Sequence, residues 1–246
     1  MSERNWEKCY AYWTRNSSFV EGKIMLRDRW HVLILILLDM SNFRLSDKTD
    51  ILEVGCGTGG LSIWASHESR SVTGLDVTKR AISFANTLGK KTLYGGRLNF
   101  AVGDGRFLPF QDGLFDLCIC SETFEHVPNY EKLFDELIRT TKNSGYIIVT
   151  VPNYVNITQT GIDGPTKYVW QFLNKFRGSQ PTDLNKFSIF TLKKIFESRG
   201  LRIVAMRGMG LLVIHFARIS NFQRIFDRPF NKFLSLNIGV IAQKAT

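Results

Sequence analysis

Residues 51–62, ILEVGCGTGGLS, set Gly55, Gly57 and Gly60 in G-x-G-x-x-G spacing, with a carboxylate, Glu53, two residues before the first glycine. A strand that runs into such a turn and then a helix presents free backbone N–H groups, and the lack of side chains lets a ligand come close. Any nucleotide could use that arrangement. Two further acids follow, Asp76 at 21 residues beyond Gly55 and Asp104 in VGDGRFLPF. Beyond them SETFEHV carries Glu122, Glu125 and His126 at i, i+3 and i+4, which on a helical turn puts all three on one face.

Charge discriminates between ligands. A pyrophosphate would be repelled by a carboxylate at the strand's end, whereas an ammonium and a sulfonium would be attracted, so Glu53 favours S-adenosylmethionine over a nicotinamide dinucleotide. Asp76 is spaced to accept from both ribose hydroxyls, a contact that either cofactor would use. Asp104 suits an adenine amino group, with the backbone around Gly105 and Arg106 left for the ring nitrogens. Cys56 reads as a small residue tolerated in the turn, not a nucleophile. With Val77 beside Asp76, it completes the expected lining.

The elements that must position these residues follow from the apolar pattern. Segments bounded by turn signals recur at 50–55, 71–76, 98–104, 115–120 and 145–152, mostly with helical stretches between them. That alternation predicts a parallel sheet covered by helices on both faces. LRIVAMRG (201–208) and NIGVIAQK (237–244) read as an appended hairpin. One domain is expected over 1–246. In it, 1–48 form an N-terminal helical cap across the sheet's open end, 49–152 the cofactor-binding core, and 153–190 and 209–236 substrate-side insertions. Thr191 is the expected N-cap of LKKIFESR, with Gly200 as its stop.

LEVGCGTGG, GLDVT, GDGRFLPF, FDLCICSETFEHV and NSGYIIVTVPN, in that order, resemble class I S-adenosylmethionine-dependent methyltransferases. The resemblance runs from about residue 50 to 152 and resumes at FSIFTLKKIFESRGLRIV. It implies a Rossmann-like, doubly wound α/β fold with a seven-stranded sheet, mostly parallel with one antiparallel strand. It also implies that Glu53, Gly55, Gly57, Asp76, Asp104 and Gly105 line the cofactor site, with Ser121 at the methionine end. The subset most resembled methylates small or lipidic molecules, quinone precursors included. Many of those relatives carry a histidine where this chain has Lys186, so no role for that position carries over.

Methyl transfer from a sulfonium is an in-line displacement, and only a protonated nucleophile needs a base. His126, assisted by Glu122, is the candidate base for an oxygen acceptor; the carboxylate–histidine cluster could instead hold a divalent cation, or His126 could simply be a packing residue bonded to backbone. CSET stands where nucleobase amino methyltransferases carry N-P-P-Y, which disfavours that chemistry. The expected acceptor is small and hydrophobic. An RNA substrate and a non-catalytic protein retaining the fold are the alternatives.

Composition bears on partners. The 246 residues carry a net charge of +10, which suits an anionic partner, although a basic surface also serves solubility. Between Lys193 and Lys232, nine Lys or Arg face two acids. Within 216–233, six apolar residues from Phe216 to Phe233 share a third of a helical wheel while Arg218, Arg224, Arg228 and Lys232 lie opposite, a surface that Pro229 divides. That pattern reads either as a cap on the sheet or as a lid in peripheral contact with anionic membrane. The apolar runs are too short to cross a bilayer and the N-terminus lacks a signal-peptide core, so a cytoplasmic protein is expected.

Overall fold

The computed structural model describes residues 29–153, 184–211 and 235–246. Seven strands form one sheet: β1 (Asp50–Val54), β2 (Ser71–Asp76), β3 (Leu98–Val102), β4 (Phe115–Ser121), β5 (Thr141–Pro152), β6 (Arg202–Leu211) and β7 (Ser235–Gln243), in the order β3-β2-β1-β4-β5-β7-β6. Only β7 runs against its neighbours β5 and β6. The antiparallel pair β6/β7 is the hairpin expected from the sequence, appended to the edge of the main sheet through the pairing of β7 with β5. Five helices, α1 (Arg29–Ser41), α2 (Gly60–Ala65), α3 (Lys79–Gly89), α4 (Tyr130–Thr140) and α5 (Ile189–Glu197), are described around it.

The central strands are apolar on both faces because both are covered, as in parallel sheets generally. Their alternation sorts the core into two layers. Leu52, Val54, Cys118, Cys120, Ile147 and Val149 pack with Leu133, Phe134 and Leu137 of α4 and Leu192 and Phe196 of α5. Ile51, Leu117, Ile119, Ile148 and Ile241 turn the other way, onto Leu33, Ile34 and Leu37 of α1 and Leu61 of α2. Cys118 and Cys120 are thus core residues, and burial pushes the Cys118 thiol up to about 11.

Two sequence expectations change here. The described part of the N-terminal segment, α1, lies on a face of the sheet and not across its open end. It leans so closely on β7 that a Cβ at Gly239 would stand 2.8 Å from Leu37 Cδ1. Helix α5 is capped by Ser188, not Thr191. Ser188 Oγ accepts from Thr191 N at 3.2 Å while Thr191 Oγ1 accepts from Ser188 N at 2.7 Å, a reciprocal capping box with Thr191 one turn inside. Gly200, at φ +70°, follows the helix end as expected.

Residues 1–28, most of the 153–190 insertion and 212–234, with the basic amphipathic stretch 216–233, lie outside the described residues. Among those described, no helix is long and apolar enough to cross a membrane.

Candidate functional site

A parallel sheet brings the carboxyl ends of its strands to one edge, and here that edge collects Asp104, Asp76, Glu53 and Ser121 from β3, β2, β1 and β4 in spatial order. The chain reverses its direction of travel between β1 and β4, the place where such sheets open a crevice. The turn after β1 is strapped to β2, because Gly55 N and Cys56 N both donate to Leu75 O, at 2.7 and 3.1 Å. Gly55 and Gly57 have φ of +76° and +53°, a region that favours glycine. A Cβ at Gly55 would also strike Thr123 Oγ1 at 2.1 Å, whereas one at Gly57 would meet nothing within 4 Å. The first glycine therefore makes room for protein, and the second faces open space.

Glu53 is buried, and Ser62 Oγ of α2 donates to its carboxylate. Burial pushes its pKa up to about 7, opposed by the Ser62 hydrogen bonds and reinforced by the charge of Asp76. Asp76 accepts from Gly57 N at 2.9 Å and Thr78 N at 2.8 Å. Burial raises its pKa as well, against those backbone donors. A buried acid, Glu53, and a half-buried one, Asp76, beneath an open turn form a site that a cation relieves, which is the chemistry an ammonium and a sulfonium supply. The donor set fits S-adenosylmethionine.

Cys56 contributes backbone only: its side chain is buried under the turn, where a Cβ on Gly74 would come within 3.0 Å of Sγ. Its thiol is pushed up by burial and by the charges of Glu53 and Asp76. Val77 is 39% exposed beside Asp76. Asp104 is engaged by Arg106, whose backbone N donates to Oδ1 at 2.9 Å and whose Nη2 reaches Oδ2 at 2.6 Å. The Arg106 guanidinium holds the Asp104 pKa below its usual range. Arg106 thus spends its backbone N–H on Asp104. Gly105 is fixed by close approach, since a Cβ there would stand 2.4 Å from Leu133 Cδ1 and 2.6 Å from Val54 Cγ1.

The acceptor-side residues are arranged differently from the helical-face expectation. Strand β4 continues to Ser121, whose Oγ lies 2.8 Å from Thr150 Oγ1, and the chain turns at Glu122 with φ +50°. A short 3-10 turn covers only Phe124–His126, so Glu122 stands outside the turn that carries Glu125 and His126. Glu122 Oε2 accepts from Asn237 Nδ2 of β7 at 2.7 Å. His126 Nε2 lies 3.7 Å from Glu125 Oε1, and both side chains are buried. Among the described residues no group of three or more His, Cys, Asp or Glu is placed to hold a metal ion.

Sequence reasoning did not nominate the segment that secures this turn. Leu184 N and Asn185 N both donate to Glu125 O, and Asn185 Nδ2 donates to Phe124 O and Val127 O at 2.9 and 2.8 Å. Ser62, Thr123 and Asn237 were likewise unassigned. Ser62 alone had a local signal, as a hydroxyl in the first turns of the helix after the glycines.

Residues 52–149 match a family model described as a methyltransferase domain. Over those residues the chain is similar to a methyltransferase domain. The two acids and the open glycine turn fit S-adenosylmethionine as the cofactor of such a domain. The chain is 28% identical over 148 residues to a chloroplastic tocopherol O-methyltransferase of Arabidopsis thaliana, covering 56% of this chain and 42% of that protein. It is 28% identical over 144 residues to a ubiquinone biosynthesis O-methyltransferase of Rickettsia prowazekii, 58% of this chain and 55% of that one. The chain therefore spans about half the length of these curated relatives. The crystal structure of the YcgJ protein from Bacillus subtilis superposes with a TM-score of 0.62 at 17% identity, covering 88% of this chain and 99% of that one, a likeness that shows the fold.

Proposed function

We propose that this protein transfers the methyl group of S-adenosylmethionine to an oxygen of a small, hydrophobic acceptor. The observation that carries the reading is the buried His126, backed by Glu125 at 3.7 Å, on the turn that follows β4 at the cofactor edge of the sheet. In the transfer the acceptor oxygen attacks the methyl carbon, the carbon–sulfur bond breaks to leave S-adenosylhomocysteine, and the hydroxyl proton passes to the imidazole. A carboxylate beside the imidazole stabilises the imidazolium that results. Glu122 is held by Asn237 on the same edge of the sheet.

The hydrophobic nature of the acceptor is supported by the two relatives, whose names refer to tocopherol and ubiquinone. The net charge of +10 supports contact with an anionic membrane surface in the same reading. A screen of phenol and quinol acceptors with labelled cofactor tests the function. His126→Ala should lower turnover by roughly 10²-fold while leaving S-adenosylhomocysteine affinity unchanged. Turnover that survives His126→Ala would remove the base, and transfer to nitrogen or carbon acceptors alone would remove the oxygen.

A further inference from the structure

The segment between β3 and β4, Gly103–Leu114, has no helix or strand of its own, yet it begins with Asp104 and Gly105. Its shape is supplied from outside. Residues 132, 133, 136 and 139 of α4 fall on one side of that helix and meet the segment in order. Lys132 Nζ sits 3.5 Å from the centre of the Phe107 ring, and Leu133 closes on Gly105. Glu136 Oε2 accepts from Leu108 N at 2.7 Å. Arg139 then donates to Leu108 O at 3.1 Å, to Phe110 O at 2.7 Å and to Asp112 Oδ1 at 2.7 Å. It also forks onto both oxygens of Glu136, at 2.7 and 2.9 Å.

We propose that Glu136 and Arg139 are positioning residues for adenine: a guanidinium–carboxylate clamp on α4 that sets the course of the segment beginning at Asp104 and so fixes the cofactor's base. The inference rests on the reading that Asp104 and Gly105 hold that base. Irregular backbone needs partners for its polar groups, and here two carbonyls and one N–H take theirs from the clamp. The planar fork of arginine serves several acceptors in fixed directions, which a lysine's single ammonium does not. Base recognition depends on such fixed directions, because a small displacement of Asp104 leaves a hydrogen-bond donor of the base unpaired.

Calorimetric titration of the full chain separates this from a merely structural role. The two probes are S-adenosylhomocysteine and S-inosylhomocysteine, which carries a carbonyl where adenine has its amino group. The unaltered protein should prefer the adenosyl compound by about tenfold or more, the worth of one contact of about 1.4 kcal/mol, and Asp104→Ala should abolish most of that preference. Arg139→Met should weaken the adenosyl compound by about tenfold and the inosyl compound by less than about threefold, with Arg139→Lys falling between. Equal weakening of both ligands, or an unchanged ratio, would overturn the clamp while leaving the adenine reading intact. No preference in the unaltered protein, or none lost in Asp104→Ala, would overturn the adenine reading and the clamp with it. If Arg139→Met does not fold, Glu136→Gln carries the same comparison, with a selective loss of about threefold expected and an unchanged ratio refuting the proposal.

Discussion

Glu53→Gln should stabilise the free protein at alkaline pH and at the same time remove the pH dependence of cofactor binding. Glu53 is 5% exposed and its pKa is pushed up to about 7 from an ordinary 4.5, with burial the largest cause. Between those values the folded protein holds a proton that the unfolded chain has released, so stability falls as pH rises through that window and the full cost is present above pH 7. A rise of about 2.5 units at about 1.4 kcal/mol each gives a cost on the order of 3 kcal/mol at pH 8. Glutamine keeps an oxygen for the Ser62 hydroxyl and carries no charge. Urea unfolding without cofactor should therefore find the two proteins similar near pH 4.5 and the glutamine variant more stable by up to about 3 kcal/mol at pH 8. Asp76 is shifted in the same direction and repels the Glu53 carboxylate, so the difference between the two proteins includes the relief of that repulsion. S-adenosylhomocysteine brings an ammonium that favours the ionised carboxylate, so its affinity for the unaltered protein should rise with pH, by up to about tenfold per unit below pH 7. Binding to the variant should be weaker and much flatter with pH. Parallel stability curves for the two proteins from pH 5 to 8 would refute the reasoning, as would cofactor affinity in the unaltered protein that ignores pH.

Two further outcomes follow from the same edge of the sheet. Asp76→Asn should weaken S-adenosylhomocysteine binding by about 1.5–3 kcal/mol, the cost of losing charged acceptors to hydroxyls, and an unchanged dissociation constant in calorimetry would remove Asp76 from the site. Gly105→Ala places a methyl 2.4 Å from Leu133 Cδ1 and 2.6 Å from Val54 Cγ1. Such overpacking should cost about 1–3 kcal/mol, read as a lowered denaturation midpoint, and an undiminished midpoint would show that α4 can retreat.

How much of this was legible before the structure depends on how local each signal is. The meeting of Glu53, Asp76 and Asp104 could be read because each lies at or just beyond the carboxyl end of a strand, and parallel strands bring those ends to a common edge whatever the intervening helices do. Ser188 was legible too, since it stands immediately before the apolar run that begins at Ile189. Choosing Thr191 mistook the last of the four residues of a capping box for its first. The helical face proposed for Glu122, Glu125 and His126 failed for a different reason. Spacing rules presuppose a regular backbone, and at Glu122 the chain leaves β4 through φ +50°, a conformation uncommon for a non-glycine residue. That turn is held by residues far away in sequence: Asn237 is 115 positions from Glu122, and Asn185 is 58 from Val127. No local pattern encodes such partners. Residues nominated at strand ends therefore rest on the geometry of the sheet, whereas residues on the turns that follow depend on which distant side chains fix the turn. That is why the carboxylate beside His126 is Glu125, its immediate neighbour, while Glu122 faces β7.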